Sequence, residues 1–237
     1  MVDFSSKLAG LYGGEEFLRT KSLEALADTE LSLHVEVIEH AMNMADHLRQ
    51  FDTDNEDLKL IQLLGMRMFN AFGAALKLCL SGYYQNGALI SRDILETVFL
   101  LDLFRGDRAL IRRWRMADKK TRLKEFAPVK VRTRLDDRDG FTGRKRAAMY
   151  ELFSELAGHA TMQSIAMMRP KGMDAQIGPF FDATALEAVL SEMGRLAVQV
   201  GEQLDPFMSG TSGETLLVRH GFASAKRRWI DHFYGEV

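Results

Sequence analysis

The chain has little cysteine and little proline, and each scarcity excludes something. One cysteine, Cys79, rules out any internal disulfide, so stability must come from a packed core. A reducing, cytoplasmic setting is the simplest expectation. The four prolines, Pro128, Pro170, Pro179 and Pro206, all fall outside the segments with helical periodicity, so they punctuate helices and do not interrupt them. No long apolar run is present. The most apolar stretch, residues 97–104, contains Asp102 and falls far short of the ~20 residues a membrane helix needs. The first residues show no basic flank leading into an apolar run, so neither a targeting segment nor a membrane partner is expected. Several signatures of chemistry are missing as well. There is no Cys/His zinc pattern, no Gly-x-Ser-x-Gly elbow, and no lysine in Ser209-Gly210-Thr211-Ser212-Gly213 to make a phosphate loop. No cofactor is expected.

What remains is 237 residues, 46% of them hydrophobic, enough for one large domain with a sizeable core. Period-2 alternation is absent and helical periodicity dominates. The expectation is an all-α fold, an irregular antiparallel bundle of about seven helices in a single domain. N-terminal helices would lie in 1–54, a core in 55–168 and C-terminal helices in 169–237. Helices are expected over 15–27 and 30–50, then from an Asp54 N-cap to Leu80 with Gly82 as its stop. Others follow over 85–104, in a basic stretch containing Trp114, over 144–168, after an Asp182 cap, and over 216–233. Residues 129–143 read as an exposed loop, and 169–181 as another. The thirteen methionines read mainly as core filler.

Charge is unevenly spread. Between Arg105 and Arg146 there are sixteen Lys and Arg against six Asp and Glu, although the whole chain is at −2. Such an asymmetry marks a candidate anion-binding face for RNA or a nucleotide, with Arg112, Arg113 and Arg115 at its centre. A solvated basic face is the alternative, and Trp114 reads as a core anchor more than as a stacking platform.

Placing residues at about 100° per residue singles out four polar groups on apolar faces. Arg67 falls among Leu60, Leu63, Leu64, Ala71, Ala74 and Leu78. Arg92 and Glu96 fall inside a stripe of Ala88, Leu89, Phe99 and Leu103. His159 projects between Ala148 and Leu152, beside Gly158, whose presence in a helix asks for a close packing contact. Charges are seldom buried unless paired, so Arg67, Arg92, Glu96 and His159 are expected to meet inside the bundle. The cluster reads either as a structural network that fixes helix register or as a cleft for a phosphate or carboxylate, with His159 available for proton transfer. His34, among Ile38, Ala41 and Ala45, reads as a satisfied core histidine. Glu36, His40, Asn43 and His47 share a face, but their spacing does not match the Glu-x-x-His pattern of metal-binding bundles. They read as solvated, and no metal is expected.

The run Gly82-Tyr83, then Ala88-Leu89-Ile90-Ser91-Arg92-Asp93-Ile94-Leu95-Glu96, resembles a helix of a bacterial family of uncharacterised helical proteins. Tyr150, then Leu152-Phe153-Ser154-Glu155 and His159, is similar to that family's second motif, a serine followed five residues on by histidine. The likeness covers residues 55–168. That family in turn resembles the HEPN superfamily of helical bundles, many of them metal-independent ribonucleases of toxin–antitoxin and phage-defence systems, others inactive binding partners. The resemblance implies Arg92 and His159 as a catalytic pair. The superfamily signature, however, carries its arginine a few residues before the histidine on one helix. Here residues 150–158 hold none, so Arg92 would have to act from another helix. Three functions follow as alternatives: a binder of an anionic partner, a HEPN-like endoribonuclease, or a structural protein that associates with itself as a homodimer or with a partner protein.

Overall fold

The computed structural model describes residues 6–27, 29–170 and 172–235, and among these the regular structure is all helix. The α-helices are α1 (Ser6–Leu26), α2 (Ser32–Leu48), α3 (Glu56–Leu80), α4 (Tyr84–Gly106), α5 (Ala109–Met116), α6 (Lys119–Phe126), α7 (Pro128–Arg138), α8 (Lys145–Phe153), α9 (Met162–Ala166), α10 (Ala183–Leu204) and α11 (Gly213–Tyr234). The described helices therefore outnumber the expected seven, because the basic middle of the chain is cut into short pieces.

The ends of these helices follow local chemistry. Asn55, not its neighbour Asp54, caps α3, its side chain accepting from the N–H groups of Asp57 at 2.9 Å and Leu58 at 3.3 Å. Asp182 caps α10 as expected, accepting from Ala185 N–H at 3.0 Å. Gly82 ends the α3–α4 turn with φ of +87°, a conformation that suits glycine. A Cβ there would stand 2.4 Å from the Phe180 carbonyl oxygen. Phe180 packs edge-on against Tyr84, whose hydroxyl accepts from Asp182 N–H at 3.1 Å, so the 169–181 connection is tied to the start of α4.

Two segments differ from the sequence reading. The expected loop at 129–143 is largely α7. Pro128 at its first turn presets the helical backbone, and Val131 and Leu135, one turn apart, are buried. The dense charge of this stretch obscured a two-residue apolar stripe. Conversely, 144–168 is not one helix. It passes from α8 into a π-helical turn (Ser154–Gly158), breaks at the extended residue His159 (φ −135°, ψ 157°), and restarts as the short α9 under a Thr161–Ser164 capping box.

One hydrophobic core runs from Leu26 to Trp229 and draws on all three sections of the chain. Helix α2 lies against α3, α10 and α11. It runs antiparallel to α11, since His34 meets Trp229 at one end and His47 meets Thr215 at the other. The α10–α11 approach is close enough that a Cβ on Gly201 would lie 2.1 Å from the Phe222 ring. The face of α2 that read as solvated is partly covered by α11, Asn43 alone of its four polar residues being exposed. Glu36 pairs with Arg228, His40 lies against Gly221, and buried His47 is 2.8 Å from the Thr215 hydroxyl. No group of three metal-ligating side chains occurs among the described residues. By length and composition α3 is the one described helix apolar enough to cross a membrane, a test that core helices also pass.

His34 is a satisfied core residue. Its Nδ1 accepts from Trp229 Nε1 at 2.8 Å and its ring stacks on Phe233 at 4.3 Å. Burial, aided by the positive charge of Arg195 and by His232, pushes its pKa down to about 4 from 6.5. A histidine held neutral in the folded state takes up its proton more readily when unfolded, so stability falls as pH drops from about 6.5 toward 4. Denaturant titrations across that range should show a loss on the order of 2–3 kcal/mol in the wild type, and a much flatter profile in His34→Gln.

Candidate functional site

Of the four polar groups expected to meet inside the core, only Arg92 and Glu96 come together, and Arg67 and His159 face water. Arg67 is exposed and pairs with Asp93 on α4. The buried side of α3 is made by Ile61, Leu64, Met68, Phe72, Ala75 and Cys79, while Leu63 is exposed. Helix α3 is apolar over most of its circumference, so periodicity alone misplaces its inward face. His159 is also exposed, because the chain leaves the helix just before it. Arg92 and Glu96 are half-buried and pair at 3.6 Å.

The close contact that Gly158 called for exists. A Cβ there would lie 2.7 Å from Arg92 Nη1, so any side chain would push the guanidinium off its present seat on the π-turn. His159 follows directly along the chain. Arg92 also donates to the Tyr150 hydroxyl and stands 4.6 Å from that ring's centre. Arg132 of α7 lies 3.9 Å from the same centre. Tyr150 of α8 is thus held against guanidinium groups from two other helices, a cation–π arrangement that no sequence spacing announced. Arg92 Nε and Arg132 Nη1 are buried without a hydrogen-bond acceptor among the described residues. Buried donors are seldom left unpaired, and an orphaned pair on adjacent cations asks for an absent acceptor.

Glu96 links this clamp to a groove of about 390 Å³ lined by Leu64, Arg67, Asp93, Trp114, Phe126 and Val131 among others. Trp114 is half-buried, edge-on to Phe104 with Arg122 over its ring, so it anchors α5 as expected. The far wall of the groove is the basic segment. Of its sixteen cations, Arg105, Arg113, Arg115, Arg138 and Arg146 hold ion pairs, and the remainder have no carboxylate partner among the described residues. Arg113 is bound by Glu125 through both of its ends (3.0 and 2.6 Å), and Arg115 reaches Asp57 at 3.1 Å. Arg112 is exposed and uncommitted. Two acidic residues of the segment are engaged by the backbone. Asp107 accepts from Ala109 N–H at 3.0 Å, and Asp118 accepts from Thr121 N–H at 2.7 Å. The positive excess therefore survives folding.

A second polar cluster secures the clamp. Asp102 at the end of α4 accepts from Arg138 at 3.1 Å through both oxygens and lies 3.6 Å from Arg146. Arg146 donates to Asp136 at 2.8 Å and also to Asp139. Asp102, Asp136 and Asp139 with Arg138 and Arg146 so fix α7 and α8 to α4, and Arg105 of α4 is a third, more distant arginine on Asp102 at 3.9 Å. A helical wheel sets Asp102 aside, because its closest partners, Arg138 and Arg146, lie on other helices far along the chain. The Arg138 and Arg146 guanidiniums hold the Asp139 carboxyl well below the usual carboxylate range. A carboxyl with a lowered folded pKa contributes stability that is complete above its unfolded value, about 3.9, and that is lost as pH falls through its folded value.

No known protein family, curated protein or solved structure matches the chain.

Asp102 has only a tenth of its side chain exposed, so Asp102→Ala leaves Arg138 and Arg146 under-compensated. Urea unfolding at pH 7 should show a loss of up to about 3 kcal/mol.

Proposed function

We propose that the chain binds a phosphate-bearing anionic partner, RNA or a nucleotide, at the Arg92–Tyr150–Arg132 clamp and along the adjoining groove toward α5–α7. The observation that carries this reading is the clamp itself. Two guanidiniums share one aromatic ring with a single carboxylate, Glu96, beside them, and each retains a buried N–H without an acceptor. A phosphate supplies several acceptor oxygens in the geometry a guanidinium fork prefers. Unpaired cations along α5–α7, Arg112 among them, add an electrostatic track that would draw a polyanion to the groove. Arg67 and Glu96 line that groove, and Arg113 and Arg115 serve the reading mainly by holding α6 and α3 in place.

A second reading rests on a specific observation. Arg92 seated on Gly158 brings its guanidinium next to the chain segment that carries His159. That juxtaposition is what a HEPN-like, metal-independent endoribonuclease with its arginine and histidine on separate helices would need. His159 would move the proton of the attacking hydroxyl, and Arg92 would steady the developing phosphate charge.

Filter binding of a single-stranded RNA at several salt concentrations tests the first reading. Arg132→Glu should weaken binding and lower the log–log salt slope by about 0.7 for each phosphate no longer neutralised. Arg112→Glu should do the same to a lesser degree. Binding that is unchanged in Arg132→Glu removes the proposal. For the second reading, purified wild type should cut a labelled RNA in the presence of a chelator and His159→Ala should not. Equal, background-level products from both would leave binding alone.

A further inference from the structure

An apolar concavity whose lining shares no residue with the clamp lies against the π-turn. It has a volume of about 650 Å³ and is open to solvent. It is walled by Ala88 of α4, Phe153 and Leu156 of α8 and the π-turn, Met167 just after α9, and Ala188 and Val189 of α10. Its size and lining are those of a small-molecule site, mostly apolar with few polar groups at the rim. The small side chains at 88 and 188 create the space, and the break at His159 lets α9 stand across it as a separate wall. A continuous helix over 144–168 would have no such turn.

The charges at the rim identify the kind of occupant. Glu192 is bound to Arg195, and Asp182 caps α10. Arg169, at the end of the α9 wall, is exposed and has no ion-pair partner among the described residues. The mouth thus offers one uncommitted cation above an apolar floor. We infer that this cleft binds a free, single-chain amphiphile with an anionic head, a medium-chain fatty acid, with the alkyl chain against Phe153, Leu156 and Val189 and the carboxylate on Arg169. This inference does not depend on the anionic partner proposed for the clamp.

The test is a fluorescence titration of the full chain with dansyl-undecanoic acid, followed by displacement with dodecanoate and with dodecanol. The wild type should give a saturable, blue-shifted signal that dodecanoate displaces about tenfold more effectively than dodecanol, the expected difference for one charge-assisted hydrogen bond. Ala188→Trp should abolish the signal with helical circular dichroism unchanged. Arg169→Gln, a surface change that cannot unfold the chain, should erase the preference for dodecanoate over dodecanol. The inference is overturned if the wild type shows no saturable signal, if Ala188→Trp binds as well as wild type, or if Arg169→Gln keeps the full preference. Binding seen only with intact phosphatidylcholine vesicles, and not with monomeric fatty acid, would overturn it too.

Discussion

Tyr150 is the point on which the candidate site depends. Its ring lies against Arg92 from α4 and Arg132 from α7, its hydroxyl accepts from Arg92, and it stands on α8 itself. Three helices are therefore held by one aromatic residue. Two like charges are brought to one surface, with a single nearby carboxylate to offset them. Such an arrangement is costly without a counter-ion, because neighbouring cations repel and their buried N–H groups lose water. The Asp102–Arg138–Arg146 network offsets that cost from outside. It fastens the same three helices a few residues away, with its arginines matched by carboxylates, so the clamp is positioned by a neighbour that needs no ligand.

The π-turn is the second device. It follows α8 directly, presents Gly158 as a seat for Arg92, and contributes Leu156 to the lining of the apolar cleft. π-Helical turns are uncommon and recur at functional sites, where the extra residue re-aims its neighbours. Here it separates a polar, cationic region from an apolar concavity and releases His159 from the helix into an extended backbone at the surface.

Much of the fold is legible in the sequence, and the parts that are not share a physical cause. The all-helical class, the Asp182 cap, the Gly82 stop and the core role of His34 rest on local chemistry that a short window contains. Gly158 is informative as well. A glycine inside a helix asks for a close neighbour, and Arg92 is that neighbour. The inward placement of Arg67 fails because α3 is apolar nearly all round and periodicity cannot choose its buried side. His159 is misplaced when angles are carried through a helix that ends before it. Helix α7 is hidden under charge whose partners lie on other helices. The roles of Tyr150, Arg132 and Asp102 are missed for a common reason. Each is ordinary in its own segment and gains significance only from residues distant in sequence, which a single sequence does not reveal.

The most direct measurement is a crystal structure of the protein soaked with a phosphate mimic such as tungstate. The account predicts anion density bridging Arg92 and Arg132 beside the Tyr150 ring, within hydrogen-bond distance of the two N–H groups that now lack acceptors. Density confined to lattice contacts or to the outer faces of α5 and α6, with the clamp empty at saturating anion, would contradict it.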